Sequence, residues 1–322
     1  MIHATIAVAG LLLTLTVSGV EAAEAKYPSR PVRFIAPFVP GGPSDILSRL
    51  MSAKLTESMG QQFIVDNRGS AGGVLGFEIG AKAPPDGYTL TLAANSGLTI
   101  NPHVYKQLPY DPQRDFQPIT QLTVGGNVVV VHPSVPAKSI KEFIALAKAK
   151  PGQLNHATTG TGNLLGIANF KSMAGIDMIA IAYKGTGQAV TALMSGEVQF
   201  FFMNPLVAIP HVKSGKLRGL AVTSTTRNIA LPDTPTVDES GLPGFENITW
   251  HSVLVPAKTP KPIVKRLNTE MVKIVNLPDV KERFLSQGLT PVGSTPQEMS
   301  ALIKKESLEY ARLVKQIGYE PQ

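Results

Sequence analysis

Glycine and small polar residues are concentrated in short loops, each of which follows a β-prone segment and precedes a helical one. The first backbone N–H groups of a helix have no partner within the helix and lie at the positive end of its dipole, so such loops attract anions. Glycine also lets the backbone approach a ligand closely. Five loops have this character: residues 40–45, 69–73, 95–99, 159–163 and 183–187.

Formal positive charge is scarce in these loops, where only Lys184 and the neighbouring Arg68 are cationic. A polyphosphate would need more charge, whereas a small mono- or dicarboxylate can be held by backbone amides and hydroxyl groups. Taken singly, each loop is an ordinary strand-to-helix turn, because such turns commonly contain glycine, serine and asparagine. The presence of five together favours an anion site.

Short apolar segments alternate with helical ones through the chain, a pattern typical of βαβ units and a parallel sheet. In such sheets ligands bind in a crevice at the carboxyl ends of the strands, so the five loops are expected to share one cleft. A helix is predicted from Ser44 or Asp45, either of which can cap it, to Met59. Capping boxes begin at Ser139 and Thr295. The predicted strands are residues 32–38, 63–66, 88–94, 127–131, 154–159, 178–182, 198–203, 217–223 and 248–255.

The expected fold class is α/β with two lobes, because about 300 residues exceed what one hydrophobic core usually serves. The strand pattern restarts after Ile119, and residues 224–245 are rich in Pro, Thr and Gly with little periodicity. The chain is therefore expected to cross between lobes twice. The predicted organisation is a signal peptide at residues 1–25, a first lobe at 26–124 and 248–322, and a second lobe at 125–247.

The N-terminal segment has the features of a secretory signal peptide. Residues 6–20 form an apolar run that is too short to span a bilayer, and Ala23, Glu24 and Ala25 supply a small-x-small cleavage site. The mature chain is expected to begin near Glu24 or Lys26, in the periplasm. The chain contains no cysteine, which excludes disulfides and a cysteine-linked lipid anchor.

Composition restricts the partners. Removing residues 1–25 deletes two acidic residues and no Lys or Arg, so the net charge rises from +7 to +9. The basic residues are scattered and form no stripe interleaved with aromatic residues, so no nucleic-acid partner is expected. The six histidines include no pair at the i, i+4 spacing that places two ligands on one helical face, and no metal or other cofactor is expected. We expect a monomer.

The sequence lacks the motifs of common enzymes. It has no G-x-S-x-G elbow, no H-E-x-x-H motif and no cysteine nucleophile, so we expect a binding protein, with an exported hydrolase as an alternative. Gly160, Gly162 and Gly166 suggest a dinucleotide loop. Their spacing is G-x-G-x-x-x-G, however, and Asp177 precedes the next strand, where the dinucleotide fingerprint places its acid at that strand's end.

Five individual side chains could contact a ligand, and three of them have a second interpretation. A carboxylate beside an anion site would repel the ligand. Asp45 is therefore expected either to cap its helix or to bind the amine of an amino-acid ligand. His156 could reach the cleft or pack in the core. Trp250 and Tyr183 could stack on an aromatic ligand, although Trp250 could equally lie in the core or at the domain seam. Asn204, directly after a predicted strand, can offer its amide to a ligand.

Longer motifs run through the mature chain: YPSRPVR at residues 27–33, PFVPGG at 37–42, NRGSAGG at 67–73, PDGYTL at 85–90, YKG at 183–185 and LPDTPTV at 231–237. Together they resemble the substrate-binding proteins of tripartite tricarboxylate transporters, the Bug receptors, over nearly the whole mature chain. The resemblance implies a type II periplasmic-binding-protein fold, whose two α/β lobes close on the ligand. It also implies delivery of a carboxylate to a membrane permease. A protein that reports a carboxylate to a membrane sensor kinase is the alternative that the sequence leaves open.

The resemblance implies binding residues in both lobes, which would hold the carboxylate through main-chain groups, hydroxyls and bridging waters. Where many relatives have a serine and then a histidine after the fourth loop, this chain has Asn163, Leu164 and Leu165, so we expect a more apolar wall and a ligand less polar than citrate. With Gly72 in the site, Gly72→Asp is expected to weaken binding more than folding. The implied residues are Phe38, Pro40, Gly42, Ala71, Gly72, Ser96 and Thr99 in the first lobe and Gly160, Thr161, Asn163, Tyr183 and Asn204 in the second, with Asp45 as a further candidate.

Overall fold

The structure is a computed structural model that describes residues 27–321, so the predicted signal peptide lies outside the described residues. These residues form two α/β lobes, each built on one β-sheet with helices packed against it. The predicted two-lobe α/β fold class is confirmed. Within residues 27–321, no helix is long and apolar enough to cross a membrane.

The first sheet is built from β1 (Val32–Ala36), β2 (Phe63–Asn67), β3 (Thr89–Ala94), β4 (Phe116–Gly126), β10 (Ile248–Pro256) and β11 (Thr290–Pro291). Their order across the sheet is β11-β4-β10-β3-β1-β2. β1 is parallel to both β2 and β3, whereas β10 is antiparallel to β3 and β4. The carboxyl ends of β1, β2 and β3 therefore point to one edge of this sheet.

The second sheet is built from β5 (Val128–Val131), β6 (Asn155–Thr158), β7 (Ile179–Ala182), β8 (Phe200–Met203) and β9 (Arg218–Val222). Their order is β7-β6-β8-β5-β9. β6 is parallel to β7 and β8, whereas β5 is antiparallel to β8 and β9. All residues of β5 and β8 are buried, as expected for strands covered on both faces.

Two long strands of the first sheet carry the chain between the lobes. β4 ends at Gly126, and β5 begins the second sheet at Val128. The return passes from β9 to β10, whose first residue, Ile248, pairs with Gly126. The two crossings therefore lie side by side. The lobe boundaries at 124/125 and 247/248 stay predictions.

The helices of residues 27–321 are α1 (Pro43–Met59), α2 (Val74–Ala81), α3 (Asn101–Val104), α4 (Ile140–Ala149), α5 (Thr161–Ala174), α6 (Thr186–Met194), α7 (Pro205–Lys213), α8 (Lys261–Val275), α9 (Pro278–Ser286) and α10 (Pro296–Gln316). A 3₁₀ turn at Ala71–Gly73 precedes α2, and a π-helical turn at Ser96–Ile100 precedes α3.

The first helix begins earlier than predicted. Its N-cap is Gly42 and its first residue is Pro43, so Ser44 and Asp45 lie inside the first turn and do not cap it. Proline is favoured at the first helical position, because its φ is already helical and the N–H that it lacks would have no helical partner. The start of α1 is therefore set by proline and not by a capping side chain.

The two predicted capping boxes differ. At α10 the box is complete, since Thr295 Oγ1 accepts from the Glu298 N–H and the Glu298 carboxylate accepts from the Thr295 N–H. At α4, Ser139 Oγ accepts from the Glu142 N–H, but the Glu142 carboxylate accepts from the N–H of Lys138, one residue earlier. Both helix starts are confirmed.

Each lobe has its own hydrophobic core. In the first lobe, Phe34 and Leu90 of the sheet pack with Leu47 of α1. In the second, the ring of Phe200 stacks on Phe143 and Phe170, with centroid separations of 4.7 and 5.4 Å. Removing such apolar surface from water is the main favourable contribution to folding. Two independent cores leave the space between the lobes for a ligand.

Candidate ligand-binding cleft

A cavity lies between the lobes, where the strand-to-helix loops of both sheets meet. The space open to the centres of water molecules is ≈ 100 Å³. The lining residues are Phe38, Val39, Gly42, Pro43, Ser44, Ala94, Asn95, Ser96, Asn127, Thr159, Gly160, Gly162, Asn163, Gly185, Thr186, Phe201, Phe202, Asn204, Thr249 and His251.

Helix N-termini from both lobes surround this cavity. Gly42, the N-cap of α1, comes from the first lobe, whereas Gly160 and Gly185, the N-caps of α5 and α6, come from the second. The first N–H groups of a helix have no intrahelical partner, and each helix carries about +0.5 of an elementary charge at this end. The cavity is therefore surrounded by partial positive charge from main-chain groups.

Formal charge is missing from the described cavity lining, which contains no Lys, Arg, Asp or Glu. The two cationic side chains near the predicted loops are not part of the cavity lining. Arg68 pairs with Asp66 at 2.9 Å, and Lys184 is exposed. His251 can titrate, but burial lowers its pKa to about 4, so its ring is neutral near pH 7. A ligand anion would meet neutral donors and dipoles.

Two asparagines of the second lobe are fixed at the cavity wall by the protein itself. The Asn163 Nδ2 group donates to the Phe202 carbonyl at 2.7 Å, and Asn163 Oδ1 accepts from Thr159 Oγ1 at 2.6 Å. Asn204 is the N-cap of α7, and its Oδ1 accepts from the Leu206 N–H at 3.1 Å. Because its oxygen is used in capping, Asn204 presents the Nδ2 donor end of its amide to a ligand.

The two lobe crossings supply residues that the sequence reasoning did not select. Asn127 lies between β4 and β5, and its Nδ2 group donates to Asn247 Oδ1 at 3.0 Å and to Thr249 Oγ1 at 3.3 Å. Thr249 and His251 lie on β10, and His251 Nδ1 is 3.2 Å from Thr123 Oγ1. The available signal was the presence of polar residues beside a predicted crossing, with Thr249, His251 and Ser252 in the first half of β10.

Six of the predicted site residues line this cavity: Phe38, Gly42, Ser96, Gly160, Asn163 and Asn204. The structure does not bring the other seven to its wall, namely Pro40, Asp45, Ala71, Gly72, Thr99, Thr161 and Tyr183. Pro40 and Ala71 are exposed, and Thr99 is buried with its hydroxyl donating to the Asn95 carbonyl at 3.0 Å. The ligand contacts of all thirteen stay predictions.

Asp45 contributes to the first turn of α1. Its Oδ2 accepts from the Gly41 N–H at 3.0 Å, and its Oδ1 pairs with Arg49 at 3.0 Å. Burial alone would raise the pKa of Asp45, but the hydrogen bonds from Arg49 and Gly41 outweigh burial and lower it. Asp45 therefore neither caps α1 nor lines the cavity, and its contact with an amine ligand stays a prediction.

Both aromatic candidates make bonds away from the cavity. The Tyr183 hydroxyl donates to Glu197 at 2.6 Å, and burial together with this carboxylate raises the pKa of Tyr183 to about 12. Trp250 is buried, and its Nε1–H donates to Glu306 at 2.7 Å. His156 is likewise buried on β6 and does not line the cavity. None of these rings offers a stacking surface to the cleft.

The apolar wall differs from the expected one. Leu164 and Leu165 are not part of the cavity lining, and Leu165 packs with Ile100 in a cluster between the lobes. The apolar lining residues are instead Phe38 and Val39, which follow β1, and Phe201 and Phe202 of β8. The expected role of the two leucines as the pocket wall is corrected.

The role expected for Gly72 changes most. Gly72 has φ +61°, and a Cβ atom there would lie 2.6 Å from the Tyr105 hydroxyl. Its carbonyl also accepts from Asn101 Nδ2 at 2.9 Å. We therefore expect Gly72→Asp to lower the free energy of unfolding by about 2 kcal/mol, from the left-handed backbone and the overlap. Urea unfolding monitored by circular dichroism measures this loss, and an unchanged midpoint would contradict it.

Several contacts join the lobes across the cleft. Thr161 Oγ1 of α5 donates to Asn101 Oδ1 of α3 at 2.7 Å, and Asn101 is also held by the Tyr110 hydroxyl at 2.9 Å. Gly185 of the second lobe lies directly against Val39 of the first. Within residues 27–321, no group of three or more His, Cys, Asp or Glu side chains could hold a metal ion. The cleft is thus a neutral cavity between lobes in contact.

Comparison with known proteins agrees with this geometry. A family model described as the tripartite tricarboxylate transporter family receptor matches residues 47–319. Protein BugT of Bordetella pertussis is 33% identical over 318 residues, which cover 97% of each chain.

The solved structure of R. palustris Rpa4515 with adipate is similar at 31% identity and a TM-score of 0.89, over 92% of this chain and 100% of that one. MatC from Rhodopseudomonas palustris with bound malate is similar at 29% identity and a TM-score of 0.85, over 89% and 100%. The chain therefore belongs to the receptor family of the tripartite tricarboxylate transporters, a family of solute-binding receptors and not of enzymes.

Proposed function

We propose that this chain is a periplasmic receptor that binds a small aliphatic dicarboxylate by lobe closure and delivers it to the permease of a tripartite tricarboxylate transporter. One observation carries the proposal. Helix N-termini from both lobes surround a cavity whose described lining has no charged side chain. An anion gains from such dipoles, whereas a cation would meet no carboxylate.

The shape of the cavity supports a dicarboxylate. The N-terminus of α1 offers donors on one lobe, and those of α5 and α6 offer donors on the other, so each lobe can hold one carboxylate. Phe38 and Val39 line the space along with these donors and suit a methylene chain. Two similar receptors are described with adipate and with malate.

Lobe closure is supported by the contacts between the lobes. A ligand that touches both α1 and α5 binds more tightly to the closed state, in which the two helix N-termini face one cavity. Binding therefore shifts the protein toward the closed state. The Thr161 to Asn101 hydrogen bond and the Leu165 cluster add contacts to the same state. The closed surface is then the form that a permease would recognise. We place the lobe boundaries at 124/125 and 247/248 and the removed signal peptide at residues 1–25.

A thermal-shift screen of the purified mature protein tests this function. We expect C4 to C6 dicarboxylates, adipate and malate among them, to raise the melting temperature, since a ligand at a hundred times its dissociation constant adds about 2.7 kcal/mol. Matched diamines and sugars of the same length should give no shift, because the described cavity lining offers them neither carboxylates nor the dipole direction that they need.

The screen contradicts the proposal if every dicarboxylate leaves the melting temperature unchanged while a diamine or a sugar raises it. Delivery to the permease is tested separately. Deleting the gene should abolish uptake of the radiolabelled acid that binds, and undiminished uptake would remove the transport role while leaving the binding role in place.

A further inference from the structure

We infer that His251 sets the specificity of this cleft: its Nε2 group donates a hydrogen bond to a ligand carboxylate, and the ring takes up a proton as the dicarboxylate binds. This inference rests on the proposed function. It assigns to one side chain the formal positive charge that the described cavity lining otherwise lacks.

His251 lies where its ring can contact a ligand in the cavity. The side chain is 1% exposed, lies on the crossing strand β10 and lines the cavity. Nδ1 faces Thr123 Oγ1 of β4 at 3.2 Å. Within the described part of the chain, the hydrogen bond of the ring is made by Nδ1. Nε2 is therefore the ring nitrogen left for a ligand.

The tautomer of His251 is assigned from its contact with the Thr123 hydroxyl. A hydroxyl can donate to Nδ1, and a neutral imidazole whose Nδ1 accepts carries its proton on Nε2. We assign that tautomer, with the Thr123 Oγ1–H donating to His251 Nδ1. The Nε2–H then faces the cavity as a donor, which suits a carboxylate oxygen. On protonation Nδ1 also becomes a donor, and the Thr123 oxygen can rotate to accept.

The negative charges of a bound dicarboxylate need positive partners in the cavity. A dicarboxylate brings two negative charges into a cavity where the described lining residues supply partial charges only. Buried charges need partners, and a carboxylate beside an imidazole favours the charged ring. Burial lowers the pKa of free His251 to about 4, so the ring is neutral before the ligand arrives. A bound carboxylate raises that pKa, and the affinity therefore increases as the pH falls from neutral toward the free value.

The surroundings of His251 contain few competing charges. β3 and β4, which flank its strand, carry no titratable side chain. On α2, Glu78 pairs with Lys82 at 2.6 Å, and on α1, Asp45 pairs with Arg49. Burial is accordingly the cause of the lowered pKa of His251, with no contribution from a neighbouring charge.

One further acid must be separated from His251. Glu306 of α10 accepts from Trp250 Nε1, and burial raises the pKa of Glu306 to about 7. Adjacent residues of a strand point to opposite faces, so Glu306 lies behind β10 relative to His251. It nevertheless titrates in the same pH range. Only a comparison of variants can assign the proton to one group.

Isothermal titration calorimetry with adipate tests the inference. Titrations at about pH 6 in two buffers of different ionisation enthalpy give the number of protons taken up on binding. We expect net uptake by the wild-type protein. His251→Gln keeps a neutral donor but should take up no proton and should bind adipate about tenfold more weakly.

His156→Gln is the matched control. His156 is also buried on a strand with a pKa lowered to about 4 by burial, but it does not line the cavity. We expect its proton uptake and affinity to equal those of the wild type. Equal uptake and affinity in wild type and His251→Gln would overturn the inference.

A measurement on the unmutated protein guards against misfolding of the variant. The imidazole resonances, assigned with ¹³C-labelled histidine, should show one ring whose pKa rises when adipate is added. If adipate binds and no ring titrates differently, the inference fails and the proposed function stands. If no dicarboxylate binds the wild type at all, both fail.

Discussion

Replacing Thr186 by aspartate is expected to lower the affinity for adipate about a thousandfold without unfolding the protein. Thr186 is the first residue of α6 and lines the cavity. Two like charges about 4 Å apart repel by ~4 kcal/mol at an effective dielectric constant of ~20, which corresponds to roughly a thousandfold. The same carboxylate interacts favourably with the N-terminus of its helix, so the free energy of unfolding should not fall. Calorimetry with adipate and urea unfolding measure the two quantities.

Thr186→Asn is the matched control, because asparagine has the size of aspartate without its charge. We expect it to lose less than about tenfold in affinity. Equal affinities of the aspartate and asparagine variants would show that the anion does not approach α6. A gain in affinity for a diamine in Thr186→Asp would not restore the proposal, since it would follow from the new charge alone.

Replacing Gly185 by alanine is expected to reduce the affinity for adipate about a hundredfold, because the added methyl group stops the lobes from meeting. A Cβ atom on Gly185 would overlap Val39 Cγ2 of the first lobe. The backbone at Gly185 is extended, with φ −174°, so alanine introduces no backbone strain. Overpacking costs up to about 3 kcal/mol, which corresponds to roughly a hundredfold. Calorimetry measures the loss.

Two variants define the cause of that loss. Val39→Ala in the Gly185→Ala protein should restore most of the affinity, since it removes the methyl group that the new Cβ meets. Gly187→Ala, in the same helix, should bind like the wild type because a Cβ there has nothing within 4 Å. Wild-type affinity in Gly185→Ala alone would mean that the lobes do not meet at this point when ligand is bound.

Local patterns predicted the helices and most strands. The run from Pro43 to Met59 was recognised from its apolar face, and only its start was placed one or two residues late, because proline and not a capping side chain begins it. β4 was not predicted as a strand. Pro118 interrupts it, and Gln121 and Thr123 are polar, yet both side chains are buried in a strand against which α8 and α10 pack.

The sequence identified the loops that form the site more reliably than the individual side chains that line it. Gly42 and Gly160 were implied by the family resemblance, and both lie in glycine loops that the local sequence identifies. Asn127, Thr249 and His251 could not be found, because nothing local distinguishes a polar residue that faces a cleft from one that is bonded inside the core. Gly72 has a positive φ beneath Tyr105 and is not part of the cavity lining, so its ligand contact stays a prediction.

The sequence by itself determined the α/β class, the family and the kind of ligand chemistry, because hydrophobic periodicity, glycine loops and helix starts depend on residues a few positions apart. Only the tertiary structure decided which of those loops line the same cavity. That choice depends on residues distant in the chain, such as Val39 against Gly185 and Asn101 against Thr161, which meet through the packing of two lobes. The neutral, dipole-lined cavity with His251 on its crossing strand is a product of that packing.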